Sequence, residues 1–311
     1  MQLGVSVINR GPLARTEVMG RFIRRAEELG FQSATVSDHI VIPKAMPHNY
    51  PYHPAGEFRW QDARDYYEPL ACLGFLAGLT QRIRLGTSVL IVSYRNPLTT
   101  AKFLASLDAL SGGRIFIGVG TGWWEDEYKA LGIPSQFAER GKRTDEYIRI
   151  FRELWTKEEP SFQGQFHQFG DLEFSPKPAQ KEGLPIWIGG HTSRALRRVA
   201  ELGDVWHPIG LRPPAGLEPA ELATKREELI GYAKAQGRDG KAIPIHLRAP
   251  VIVSDTESAT LIGKPAKILA DIEAYASVGV SHITADLVAQ NAEQLMGLLD
   301  RLGKEVLPKV K

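Results

Sequence analysis

The sequence predicts a TIM (β/α)8 barrel with insertions, filling residues 1–311 as a single domain. Three observations lead there. Short β-rich runs alternate with longer helical patterns along the whole chain, as parallel β/α construction requires. The candidate barrel strands number eight, beginning near Leu3, Ser33, Ile83, Ile115, Ile186, Asp204, Ile245 and His282. No linker divides the 311 residues, a length that one barrel with insertions accommodates. The competing architecture, a doubly wound open sheet, more often pairs with a second domain, and nothing here supports one.

The elements follow in order. "LGVSVI" (3–8) is the first strand, and "TEVMGRFIRRAEELG" is a helix because Val18, Phe22, Ala26 and Leu29 recur at helical spacing. Thr16 is its expected N-cap and Gly30 its C-cap. "SATVSD" is the second strand. Residues 40–66 include "PKAMPHNYPYHPAGEFRW", too long for an ordinary connection and too apolar for a solvated linker, so they read as a lid or wall. A helix over about 67–79 leads to the strand "IRLGTSVLIV", and "NPLTTAKFLASLDALSGG" is a helix closed by its glycines before "RIFIGVG". "DEYIRIFRELW" is an amphipathic helix, and "PSFQGQFHQFGDLEFSPKP" alternates around a glycine as a β-hairpin insertion. The repeat resumes with "PIWIGG", "SRALRRVAELG", "DVWHPI", a polar helix over 218–237, "IPIHLRAPVIV", "PAKILADIEAYASVG", "SHITADL" and a terminal helix over 291–304.

Composition narrows the function. Subtracting 36 acidic from 38 basic residues gives +2, so no global charge points to nucleic acid or an anionic membrane as partner. Cys72 is the lone cysteine and lies in the apolar run "LACLGFLAGL", which argues for a buried thiol. No window holds the roughly 18 uninterrupted apolar residues of a membrane helix, and the N-terminus lacks a signal-peptide pattern. A cytoplasmic protein acting on a small molecule is expected.

In a barrel of this kind, chemistry sits at the C-terminal ends of the strands. Polar residues collect there: Asn9, then Asp38 and His39, Thr87 and Ser88, Gly120 and Thr121, Gly189 to His191, His207 and Asp286. "GVGTG" (118–122) permits positive φ angles and close backbone approach to a flat or anionic ligand, and also fits a plain tight turn. "IGGHTSRALRRV" (188–199) places Thr192 or Ser193 as a helix cap, with an N-terminus able to meet a phosphate and Arg194, Arg197 and Arg198 adding charge. Metal-binding spacing is absent, His48 and His53 being the only close histidine pair, and there is no GxSxG nucleophile elbow. A glycosidase would need two opposed carboxylates, for which Asp38 and Asp286 are the candidates.

Taken together, "SDH" after the second strand, "TSVL" in the third, "GVGTGW" after the fourth and "IWIGG" before an arginine-bearing helix resemble the bacterial luciferase-like family. The likeness is greatest to its deazaflavin branch, which uses coenzyme F420, and runs from the first strand to about residue 210. It implies a luciferase-like monooxygenase-type barrel, usually a homodimer, acting as an F420-dependent oxidoreductase. Asp38 would contact the cofactor and His39 would handle the proton that accompanies hydride transfer, a task suited to an imidazole near neutral pH. A non-prolyl cis peptide is implied at Ser88–Val89, with Thr87 in the same strand. Thr121 and Gly122 would line the ring and ribityl chain, and Gly189, Gly190, His191 and Thr192 the phosphate.

The branch's sugar-phosphate enzymes carry an acidic residue where Trp123 stands, which turns the expectation from glucose 6-phosphate to an apolar or aromatic substrate. Tyr50, Tyr52, Phe58 and Trp60 add aromatic surface to that expectation, or form a satellite hydrophobic cluster. Flavin mononucleotide (FMN) is the alternative cofactor, as in a monooxygenase of the same superfamily. A non-catalytic flavin-binding relative is the alternative from outside enzymology.

Overall fold

In the structure, a computed structural model describing residues 1–44, 65–212 and 216–310, eight parallel strands close into a barrel. They are β1 (Gln2–Ser6), β2 (Ser33–Val36), β3 (Arg84–Thr87), β4 (Ile115–Gly120), β5 (Ile186–Gly189), β6 (Val205–His207), β7 (Ile245–Pro250) and β8 (Val280–Asp286). β1 pairs with both β2 and β8, and closure comes from β3 on β4 through Leu85↔Ile115 and Gly86↔Phe116. All eight expected strands are present. A short strand, Leu90–Ile91, adds to β4, and the expected hairpin pairs Phe162–Gln163 with Gln168–Phe169 antiparallel.

Helices cover the outside: α1 (Thr16–Leu29), α2 (Pro69–Gly78), α3 (Pro97–Ser111), α4 (Glu125–Ala130), α5 (Gln136–Thr156), α6 (Ser193–Leu202), α7 (Pro219–Ala235), α8 (Pro265–Ser277) and α9 (Ala292–Arg301). Gly30 ends α1 in the left-handed region at φ 92°, as expected. Thr16 is not its cap: Arg15 takes that position and Thr16 is the first helical residue. α4 has no counterpart in the sequence reading, because six residues are too few for a period to register. The terminal helix also ends sooner than expected, at Arg301, and continues as a π turn.

The apolar core is the layer between strands and helices, with Leu3, Val5, Phe22, Ile23, Ile117 and Ile186 all buried. Inside the barrel the filling is different. Phe116 and Trp187 stack at 3.7 Å, and His207, His246 and His282 meet the Trp187 ring edge-on. Gly86 makes room for this, since a Cβ there would lie 2.4 Å from the Phe116 ring. Cys72 is buried, and burial pushes its thiol up to about 12. Among the described residues no helix is long and apolar enough to cross a membrane.

Candidate active site

A cavity of 240 Å³ opens at the C-terminal mouth of the barrel, where β2, β3, β4 and β5 end. Asp38, His39, Ser88, Val89, Thr121, Gly122, Gly189 and Gly190 all line it, so eight of the eleven site residues expected from sequence converge. The Ser88–Val89 peptide is cis and non-prolyl, at the expected position. The wall behind it is built from glycines. A Cβ on Gly120 would lie 2.4 Å from Val89 Cγ2, and one on Gly189 2.9 Å from Val89 Cγ1. Close packing against Val89 therefore demands these glycines, whereas the sequence reading assigned "GVGTG" to ligand approach or a tight turn. Gly122 does adopt a positive φ, 77°.

The remaining three expected residues stand off the cavity wall. Thr87 Oγ1 donates to the Gly118 carbonyl at 2.8 Å and accepts from its amide at 3.1 Å, tying β3 to β4 inside the barrel. Thr192 caps α6 by accepting from the Ala195 amide. His191 is half-buried, and burial lowers the affinity of its imidazole for a proton. Of the arginines on α6, Arg198 pairs with Asp145 and Arg197 lies over the Tyr232 ring, so neither serves the helix N-terminus. The aromatic residues Tyr50, Tyr52, Phe58 and Trp60, and the His48–His53 pair, lie outside the described residues.

Asp38 is fully committed. Both its oxygens accept from Arg95, at 2.7 and 2.8 Å, and Oδ2 also accepts from the Ile91 amide at 2.8 Å. Asp286 is held between Arg248 and Arg212. Burial alone would raise its carboxyl, but the two guanidiniums outweigh burial and hold it below the usual range. Two carboxylates locked in ion pairs are poorly placed to act as an acid and a base, which removes the support for a glycosidase.

His39 differs in being held by a group that sequence reasoning missed. Its Nδ1 lies 2.6 Å from Oε2 of Glu127, a carboxylate with no exposed surface, on α4. The imidazole meets Tyr66, Trp123 and Trp124 edge-on at centroid distances of 5.4, 6.3 and 6.0 Å. Burial pushes the Tyr66 phenol up to about 12, so it stays protonated and donates to Ser37 Oγ.

His207, one of the polar strand-end residues expected from sequence, also lines the cavity. His207 places Nδ1 2.6 Å from the His246 carbonyl, which can only accept, so Nδ1 carries the proton and Nε2 accepts from Ser88 Oγ at 2.7 Å. Burial pushes this imidazole down to about 4. Arg248 donates to both the carbonyl and the hydroxyl of Ser88 while its Nε is held by Asp286. Arg10, Ser37, Arg212 and Arg248 also line a neighbouring cavity of 670 Å³.

The profile of the luciferase-like monooxygenase family matches residues 1–261. An uncharacterised protein of Mycobacterium tuberculosis is 38% identical over 225 residues, covering 72% of this chain and 73% of its own. The FMNH2-dependent dimethylsulfone monooxygenase of Pseudomonas putida is 32% identical over 63% of this chain and 51% of its own. Among solved structures, an F420-dependent secondary alcohol dehydrogenase superposes with a TM-score of 0.79 at 16% identity, over 100% of this chain and 99% of that one. That last likeness speaks for the fold alone.

Proposed function

The chain belongs to the luciferase-like monooxygenase family, and we propose that it is an oxidoreductase moving a hydride between coenzyme F420 and a small organic substrate, with His39 giving or taking the accompanying proton. The observation that carries this reading is the seat of His39. Its buried imidazole borders a cavity also lined by the cis Ser88–Val89 peptide and by Gly120, Gly122 and Gly189, whose missing side chains leave room for Val89, Ile91 and Tyr128 to pack.

A flat tricyclic ring would lie against the Val89 side of this cavity. Ser88, Val89, Thr121 and Gly122 would hold the ring, with Thr87 fixing the strand beneath them. Asp38 would act on the ring by steadying the Ile91 amide. Gly189, Gly190, His191 and Thr192 would present the N-terminal amides of α6 to the phosphate, where the helix dipole favours an anion. The deazaflavin, when bound, supplies a two-electron hydride carrier. The protein's own part is to hold the substrate, exclude water and manage one proton at His39. Trp123 and Tyr66, both facing the cavity, support an apolar or aromatic substrate.

One observation favours a second reading: the Pseudomonas putida relative uses FMNH2, so FMN in a monooxygenase is the rival. Titrating the protein with each cofactor separates them, and tight binding of FMN alone would sink the F420 assignment. The homodimer expected from the family likeness would use α2 and α3, which pack together and expose Phe75, Phe103 and Leu110, with no charged residue anywhere on α2.

A further inference from the structure

We infer that Glu127 is the positioning residue of this site, fixing the His39 ring in the tautomer that carries its proton on Nδ1 and so reserving Nε2 for proton exchange with the substrate. The inference rests on the reading of His39 as the acid–base group, and goes beyond it by naming which nitrogen acts and what sets it.

The polarity of the network decides the tautomer. Oε1 of Glu127 accepts from the backbone amides of Ile40 at 2.8 Å and Val41 at 3.3 Å, groups that can only donate. Oε2 accepts from the Tyr94 hydroxyl at 2.9 Å. Burial raises the Tyr94 phenol far above its ordinary value, with the neighbouring Glu127 charge adding to the effect, so Tyr94 keeps its proton and donates. Three fixed donors fill three of the roughly four lone-pair sites of this carboxylate, and the remaining one, on Oε2, faces His39 Nδ1. The 2.6 Å contact from His39 Nδ1 is therefore a fourth donation to it. In the neutral ring, Nε2 is then the acceptor.

The fold builds this contact from a strand end and a six-residue helix. His39 follows β2, and Glu127 is the third residue of α4, directly after the Trp123–Trp124 stack. Its acidic neighbours Glu125 and Asp126 face solvent and pair with Lys129. Only Glu127 turns inward. The edge-on aromatic rings around His39 leave the imidazole little freedom to rotate, so the Nδ1 contact also fixes the direction of Nε2.

Glu127→Gln gives a distinctive test. The Ile40 and Val41 amides require an acceptor, so the amide oxygen of glutamine stays on their side and its NH2 faces His39. Nδ1 then has to accept, and the proton moves to Nε2. Spectra of 15N-histidine-labelled apo protein, recorded about two units above the ordinary imidazole value of roughly 6.5, report which nitrogen is protonated. The His39 signals are identified by their loss in His39→Gln.

The expected result is an Nδ1–H ring in the parent protein, the same ring in Tyr94→Phe, where the carboxylate remains, and an Nε2–H ring in Glu127→Gln. An Nε2–H ring in the parent, or a His39 spectrum unchanged by Glu127→Gln, would overturn the assignment. If Glu127→Gln does not fold, the parent and Tyr94→Phe spectra still decide. The readings need no cofactor, so failure of F420 to bind would strike the functional proposal and not this one.

Discussion

Val89 Cγ2 occupies the space that a Cβ on Gly120 would need, with only 2.4 Å between the two positions. A methyl group at Gly120 must therefore push Val89 into the cavity or distort β4. Overpacking of this kind costs about 1–3 kcal/mol. If the strain is relieved into the cavity, we expect Gly120→Ala to weaken cofactor binding by roughly 5- to 150-fold. Fluorescence titration of the parent and the variant measures this; equal affinity would show that Val89 does not border the cofactor.

The Asp38–Arg95 pair makes a separate prediction about stability. Asp38 has no exposed side-chain surface, whereas Glu68, the other partner of Arg95, is 39% exposed. Removing one member of a buried pair strands its partner and costs about 3–5 kcal/mol, while an exposed pair contributes about 0–1 kcal/mol. Asp38→Ala should thus lower the urea midpoint far more than Glu68→Ala. Similar losses would mean that Arg95 is held chiefly from the surface.

The barrel interior predicts acid sensitivity. Burial pushes His207 down to about 4, His246 to about 2 and His282 to about 3, so all three are neutral in the folded protein. The unfolded chain binds protons at these residues below about 6.5, and each folded pKa is depressed, so their stabilising effect is complete above about 6.5 and is lost as pH falls, down to about 4 for His207, about 3 for His282 and about 2 for His246. Each contributes on the order of 1 kcal/mol per pH unit in that window. Asp286 is also held low, so it reinforces the loss only in still stronger acid. We expect the urea midpoint to drop between pH 7.5 and pH 5, and to drop less in His246→Phe. A flat profile would contradict neutral buried imidazoles.

The outward face of α2 and α3 predicts an assembly. Phe103 is 56% exposed and Leu110 87% exposed, seven residues apart on one side of α3. Lysine at both positions should convert a homodimer to a monomer in sedimentation equilibrium without lowering the thermal midpoint of the monomer fold. A parent protein that already sediments as a monomer would refute this assignment.

Much of this architecture was legible from periodicity and punctuation. All eight strands begin within two residues of where β-rich runs start, because parallel strands buried on both faces are nearly continuous apolar runs. The place of His39 at the cavity and the cis position were also legible, through motif order, whereas the packing of Gly120 and Gly189 against Val89 was not. Glu127 was not, since a six-residue helix gives no period and "EDE" reads as solvated charge. The aromatic and histidine interior was missed for another reason. His246 and Arg248 alternate with Ile245, Leu247 and Ala249, and His282 with Ile283, a pattern that marks a polar inner face once the barrel is assumed. Arg95 could not be paired with Asp38 from sequence, because 57 residues separate them.

Whether this cavity binds a deazaflavin and His39 moves the proton during hydride transfer is open to direct measurement. The most direct test is anaerobic: the parent protein and His39→Ala are titrated with F420 and with FMN, then the visible absorption of bound F420 is followed with a panel of alcohols and unsaturated carbonyl compounds. We expect F420 binding to both proteins, turnover by the parent with at least one compound, and a loss of roughly 10²- to 10⁴-fold in His39→Ala. Binding of FMN alone, or turnover unchanged by His39→Ala, would contradict it.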